Sequence, residues 1–281
     1  MDQLISTQVG EGVSLIVPQV WSARFYDVLL AELPFNSLIS RDYEGEIQNL
    51  GDRVKISTVP EFDDGEVLNE GDRADAEALT VSQQELVINQ RIVKDFAVTN
   101  KASLQSISFV EKLKEMAVYA IKKKIEKLII SLIVPNAANP DQSIAYGSGT
   151  TLVLSDILAA KKLLDAQNVP MANRECVLGS SQLNDVFNIT GFTSSDFVAS
   201  GSPLTSGQLP AQLLGFKPNF TTLVGNVSYW FHTSFMTMAA QQGLAVKEFD
   251  LGVDGLRASR VNTDTLIGIK QLDGQRVVTI G

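Results

Sequence analysis

Residues 61–77 read Glu61-Phe62-Asp63-Asp64-Gly65-Glu66-Val67-Leu68-Asn69-Glu70-Gly71-Asp72-Arg73-Ala74-Asp75-Ala76-Glu77. Eight carboxylates stand against one cation, Arg73, so this stretch carries −7 of the chain's formal −9. Carboxylates at that density cannot leave water without partners, and Gly65 and Gly71 break any regular element between them. The segment must project from the body. The spacing Asp63-Asp64-Gly65-Glu66 lacks the alternating ligands and central glycine of an EF-hand loop, so a cation site is not expected there.

On either side lie strand patterns. Val54-Lys55-Ile56-Ser57-Thr58-Val59 alternates apolar and polar, and a second run covers 86–98, from Leu86-Val87-Ile88 to Phe96-Ala97-Val98. Together they predict a long β-hairpin with an acidic tip. After it, Ser106 or Ser108 opens a helix reaching about Val134. Val110, Leu113, Ala117, Ile121, Ile125, Leu128 and Leu132 recur every three or four residues as its apolar stripe. At 1.5 Å per residue the helix is roughly 40 Å long. Lys122, Lys123, Lys124 and Lys127, with Glu126 among them, form a basic turn on the opposite face. Pro135 stops the helix, and 136–149 reads as a loop and a boundary.

Before the hairpin, residues 21–33 turn helical, with Trp21, Phe25, Val28 and Leu29 on one face and Pro34 as the stop. So short an amphipathic arm must dock on the body or on a neighbour. Beyond the boundary, Ser155 caps a helix over 156–168, a strand holds Cys176, and Ser180-Ser181 caps a helix through Leu183, Val186 and Phe187. Residues 191–215, rich in Ser, Gly and Thr, read as one surface loop. Their glycines lack the Lys-Ser/Thr that would make a phosphate loop. Strands dominate from Asn226, closing with 266–269 and 276–280 around Asp273-Gly274, a hairpin turn by composition.

Composition narrows the function. At 281 residues, 44% hydrophobic and 20% charged, the chain is a folded protein. Its negative balance disfavours gripping phosphate backbones. One cysteine, Cys176, excludes an intrachain disulfide and Cys-rich zinc, which suits a reducing compartment. One histidine, His232, excludes the two-histidine zinc motifs. Both sit in apolar strand-like runs, where a buried Cys and a satisfied structural His are expected in place of a nucleophile and a base. No metal or cofactor is expected. No run is long and apolar enough to span a bilayer, and Met1-Asp2-Gln3-Leu4 begins no secretory signal, so synthesis in a cytoplasm is expected.

The order of elements resembles the major capsid proteins of tailed bacteriophages, the Hong Kong 97-like coat fold. The likeness spans nearly the whole chain and rests on Trp21-Ser22-Ala23-Arg24-Phe25-Tyr26 ahead of Gly51-Asp52-Arg53-Val54, on the helix-strand-helix of 155–187, and on Leu256-Arg257-Ala258-Ser259-Arg260 before the last strands. It implies an α+β fold with an N-terminal arm (1–44), an extended loop (45–97), a peripheral domain with a spine helix (98–150), a mixed α/β axial domain with a long surface loop (151–243), and strands returning to the peripheral domain (244–281). It also implies self-assembly as hexamers and pentamers into an icosahedral shell around phage DNA touched only weakly. Scaffolding, portal and decoration proteins would be further partners, and no membrane or catalysis is involved. Expected assembly contacts are Trp21 and Phe25 in the arm, Glu61, Asp63, Asp64, Glu66, Glu70, Asp72 and Arg73 in the loop, and Lys122, Lys123, Lys124 and Lys127 as the basic group such a loop could meet on a neighbour. Two other readings stay open. One is an encapsulin-like nanocompartment shell. The other is a hydrolase using paired carboxylates, which a glycine-punctuated tip would hold poorly.

Overall fold

Ser228-Tyr229-Trp230-Phe231-His232 forms a strand whose alternate side chains enter two different cores. The computed structural model describes residues 30–44, 53–60, 62, 64, 67, 69, 73, 80–99, 107–138, 141–147, 149–193, 211–250 and 258–281. In it Ser228–His232 (β7) lies at the centre of a five-stranded sheet with Ser143–Ile144 (β4), Arg174–Leu178 (β5), Lys217–Phe220 (β6) and Val277–Ile280 (β10), in the order β4-β10-β7-β5-β6. Pairing is antiparallel about β7 and parallel at both edges. Because side chains alternate across a strand, Phe231, Val177 and Val277 fall on one face and Trp230, Cys176, Leu178, Val278 and Ile280 on the other.

The second face is closed by the helices Leu154–Ala166 and Ser180–Asn188, through Ile157, Ala160, Leu164 and Val186. Phe216 meets Trp230 edge-on, with ring centroids 5.1 Å apart. Both helix starts differ from the sequence expectation. Val153, not Ser155, occupies the N-cap of the first, and the carboxylate of Asp156 reaches back to the Val153 and Gly147 N–H groups at 3.3 Å each. Gly179, not Ser180, starts the second, its N–H held by Gln182 Oε1 at 3.0 Å. In each case a long side chain three residues in satisfies the orphan donor.

The first face joins the spine helix, Ile107–Leu132. Its buried positions are Val110, Ala117, Ile121, Ile125 and Ile129, continuing to Ile133. Leu128 is only half-buried and Leu132 is exposed. The expected stripe thus holds at Val110, Ala117, Ile121 and Ile125, with Leu113 half-buried, and then moves over by one residue. A spacing of four advances 400° around the helix, so the stripe drifts toward whichever surface lies alongside. Here that surface includes Met236, Met238 and Ile267 of a three-stranded antiparallel sheet in the order β3-β9-β8, built from Gln90–Thr99 (β3), Met236–Asp250 (β8) and Ala258–Gln271 (β9). The helix end is tied to β9 by a reciprocal pair: Val134 N–H donates to Gln271 Oε1 at 2.8 Å, and Gln271 Nε2 donates to the Val134 carbonyl at 2.6 Å.

The expected hairpin also divides. Arg53–Thr58 (β1) pairs in antiparallel register with Ser82–Val87 (β2) as a sheet of two. The second sequence run breaks after Val87, and its remainder is β3, bonded to β9. The hairpin base rests on the three-stranded sheet through Val54, Ile56, Leu86, Ile88 and Ala239. Gly268 on β9 permits the approach, since a Cβ there would stand 2.6 Å from the Val87 carbonyl oxygen.

Asp273-Gly274 does not turn a hairpin. β9 and β10 belong to different sheets, and Gly274–Arg276 is a 3₁₀ turn carrying the chain between them. Asp273 caps that turn, accepting from Gln275 N–H at 2.8 Å and Arg276 Nε at 3.1 Å. The 191–215 loop lies largely outside the described residues. In the expected 21–33 helix only residues 30–33 are described, and they carry no regular structure; Pro34 starts the short helix Phe35–Leu38 instead of ending one.

Candidate functional site

Among the described residues, the two-stranded hairpin pairs with no further strand, and its buried side chains lie at its base. Toward its tip the described side chains stand in solvent. Val59 and Val81 are exposed, Phe62 is 64% exposed and Val67 is 99% exposed. Of the expected tip contacts, Asp64 and Arg73 are exposed. Glu61, Asp63, Glu66, Glu70 and Asp72 lie outside the described residues, as do Trp21 and Phe25. Exposed branched and aromatic side chains clustered along one projecting element signal a contact surface, because their burial is worth roughly 1.5–3 kcal/mol each.

The basic group sits about the middle of the spine helix. Lys122, Lys124 and Lys127 are exposed and Lys123 is half-buried. None of the four has an ion-pair partner among the described residues. Glu126 differs from its neighbours and from the sequence expectation, which placed it on the solvated face. It is wholly buried, and its carboxylate accepts from Phe35 N–H at 2.9 Å and Asn36 N–H at 3.0 Å. Burial pushes its acid up to about 7, against the opposing pull of those two donors. Nothing in the local sequence marks it, since the partners are some ninety residues earlier.

The residues with catalytic potential are tied into the framework. Cys176 is fully buried in the centre of β5, and burial raises its thiol well above the ordinary range, with Glu175 adding to the rise. His232 Nδ1 lies 2.7 Å from Ser234 Oγ and accepts the Ser234 N–H at 3.2 Å, capping a 3₁₀ turn. Ser234 Oγ in turn accepts from Arg276 NH1 at 2.6 Å. The His232 ring is also bonded to the Ala172 backbone, and burial together with Arg276 and Arg174 lowers its basicity. This serine–histidine contact therefore holds a turn. Among the described residues no three His, Cys, Asp or Glu side chains are grouped to hold a metal ion, and no helix is long and apolar enough to cross a membrane.

The family model described as phage capsid protein matches residues 55–281. The chain belongs to that family. The fold agrees across almost the whole length. A structure from Mycobacterium phage Che8 is 22% identical and superposes with a TM-score of 0.74, covering 95% of this chain and 97% of that one. The capsid of cyanophage P-SCSP1u gives 0.76 at 10% identity, covering 94% and 92%. The capsid asymmetric unit of cyanophage Pam1 gives 0.71 at 14% identity, covering 96% and 98%. No curated protein matches. The chain is a major capsid protein with the Hong Kong 97-like coat fold, a self-associating subunit of an icosahedral phage shell in the virion.

Proposed function

We propose that this capsid protein joins its copies, as hexamers and pentamers, chiefly through the projecting hairpin and the N-terminal arm. The observation that carries the reading is the exposure of Phe62 and Val67 on an element whose described buried side chains lie at its base. An isolated subunit leaves that apolar surface in water, and a neighbour covering it would remove it from water. Charge supports the same reading. A segment of net −7 and four lysines without ion-pair partners among the described residues are complementary surfaces on one chain. In this proposal Glu61, Asp63, Asp64, Glu66, Glu70, Asp72 and Arg73 face Lys122, Lys123, Lys124 and Lys127 of the next subunit, while Trp21 and Phe25 anchor the arm. Both partners of such an arrangement are contributed by every copy, so the contact repeats around a ring.

Two units fit this geometry. The five-stranded sheet with its outer helices forms the axial part, and the spine helix with the three-stranded sheet forms the peripheral part. The shell is a container without catalysis, assembled in the host cytoplasm. Its acidic balance keeps the packaged DNA loosely held, and scaffolding, portal and decoration proteins complete the particle. Electron microscopy and sedimentation of the purified full chain test the reading. Hexamers, pentamers or closed shells are expected, and a single stable monomer across the accessible concentration range would refute it.

A further inference from the structure

The two strands that border β9 follow it differently. Against β3 the register is unbroken from Gln90↔Ile267 to Thr99↔Ala258. Against β8 it slips between Ala240 and Gln242 and again between Gln242 and Ala245. Five steps along β8, from Ala240 to Ala245, are matched by three along β9, from Ile267 to Asp264, so β8 carries two extra residues. Bulges of this kind bend the strand that holds them and increase its twist. They divide β8 into two halves. Residues 236–239 are buried, whereas Leu244, Val246 and Phe249 beyond the bulges are exposed.

Gln242, the residue between the two slips, is gripped from both sides of the sheet. Its Nε2 donates to Asp264 Oδ1 at 2.9 Å, and its carbonyl accepts from Thr265 Oγ1 at 2.9 Å. Asp264 and Thr265 are neighbours on β9, so their side chains leave it on opposite faces. The other oxygen of the buried Asp264 carboxylate, Oδ2, accepts from Arg91 NH2 of β3 at 2.9 Å. Arg91, Asp264 and Gln242 thus make one polar chain across all three strands.

We propose that these three residues are a clip that fixes the bend of β8, and that the bend sets the angle at which the far half of this sheet meets the next subunit, and with it the curvature of the shell. The inference rests on the assembly reading above and adds to it the residues that set particle size. β3 and β9, in continuous register, form a rail. Arg91 fixes the Asp264 carboxylate to that rail, and the carboxylate holds the bulged Gln242. A buried carboxylate with both oxygens committed gives Gln242 one place, since any other leaves a buried acceptor unpaired. Without the tie a bulge can shift along the ladder, and a slip of one residue turns every later side chain of β8 to the opposite face. The far half shows the register that the clip protects: Glu248 pairs with Lys114 of the spine helix at 3.1 Å. Asp264 acts through Gln242, so it is a positioning residue.

Exchanging charge within the clip tests it. Gln242→Glu sets a second carboxylate against Asp264 and should open the clip. Adding Asp264→Asn should close it again, because the new amide keeps an oxygen for Arg91 and offers its N–H to the new carboxylate. Hydrogen exchange on the unassembled full-length subunit should show protection over 241–250 falling roughly fivefold in the single variant, with the spine helix unchanged, and recovering in the double variant. Electron microscopy of assembled particles should show one diameter for the wild type, shifted or mixed diameters for Gln242→Glu, and the wild-type diameter again for the double variant. If Gln242→Glu does not fold, Gln242→Ala removes the donor without adding charge, and shifted diameters are expected of it too. Wild-type diameters in the single variants would overturn the proposal, and so would a shift that Asp264→Asn fails to reverse in Gln242→Glu. A wild type that forms no shells counts against the assembly reading instead. The exchange measurement needs no shell, and unchanged protection over 241–250 in Gln242→Glu refutes the clip by itself.

Discussion

His232 commits its ring to the Ser234 N–H, the Ser234 hydroxyl and the Ala172 backbone. Its basicity is lowered, so the native state binds fewer protons than the unfolded chain below the ordinary value of 6.5, and its contribution to stability fades as pH falls through that range. Glu126 works in the opposite direction across 4.5 to about 7. Replacing His232 with Gln should cost about 1 kcal/mol in urea unfolding, the usual scale of a lost cap, with particle yield unchanged. A loss of assembly at undiminished stability would give His232 a part in the interface. Arg174 is a buried cation. It donates to the Val169 and Pro170 carbonyls at 2.6 and 3.0 Å and pairs with Asp165 at 2.6 Å. These contacts fix the turn that delivers β5 to the sheet centre.

Along the spine helix, the sequence pattern and the packed face agree up to Ile125 and part company after it. Ile129 is fully buried, whereas Leu132 is 36% exposed. Ile129→Ala should cost about 3 kcal/mol through lost burial and the cavity left behind. Leu132→Ala should cost under about 1 kcal/mol. Equal losses in chemical denaturation would contradict this placement. The reason the shift was hidden is rotational. Leu128 and Ile129 differ by 100° around the helix, both are apolar, and only the position of Met236, Met238 and Ile267 on two distant strands chooses between them. The same applies to the run over 86–98. Its β-propensity is continuous, but partners change from β1 to β9 at Ile88-Asn89, and the side that covers each half lies far away in sequence.

At the scale of the molecule, the hairpin tip and the lysines make two predictions about particles. Removing 63–75 deletes most of the acidic charge and leaves the hairpin base, with Val54, Ile56 and Leu86, in place. The subunit should remain folded by circular dichroism and form few shells in the electron microscope. Normal shells from the deletion would deny the tip its role. Changing Lys122, Lys123, Lys124 and Lys127 to Glu sets like charges against the acidic tip, which should lower shell yield at least several-fold and most strongly at low salt, since screening weakens such pairs. Unaltered yield at low ionic strength would separate the lysines from the tip.

What the sequence determined by itself was whatever local chemistry can dictate. That covers the solvent exposure of the described residues between 61 and 77, the long helix ending before Pro135, the strand character around Cys176 and His232, and the element order that resembles a coat protein. Only the tertiary structure decided that Asp273-Gly274 crosses between sheets, that the second hairpin run serves two sheets, and that Glu126 points inward among exposed lysines. Each of those depends on a partner distant in the chain, supplying the hydrogen bond or the buried surface, and periodicity and turn composition carry no information about which distant surface will be there.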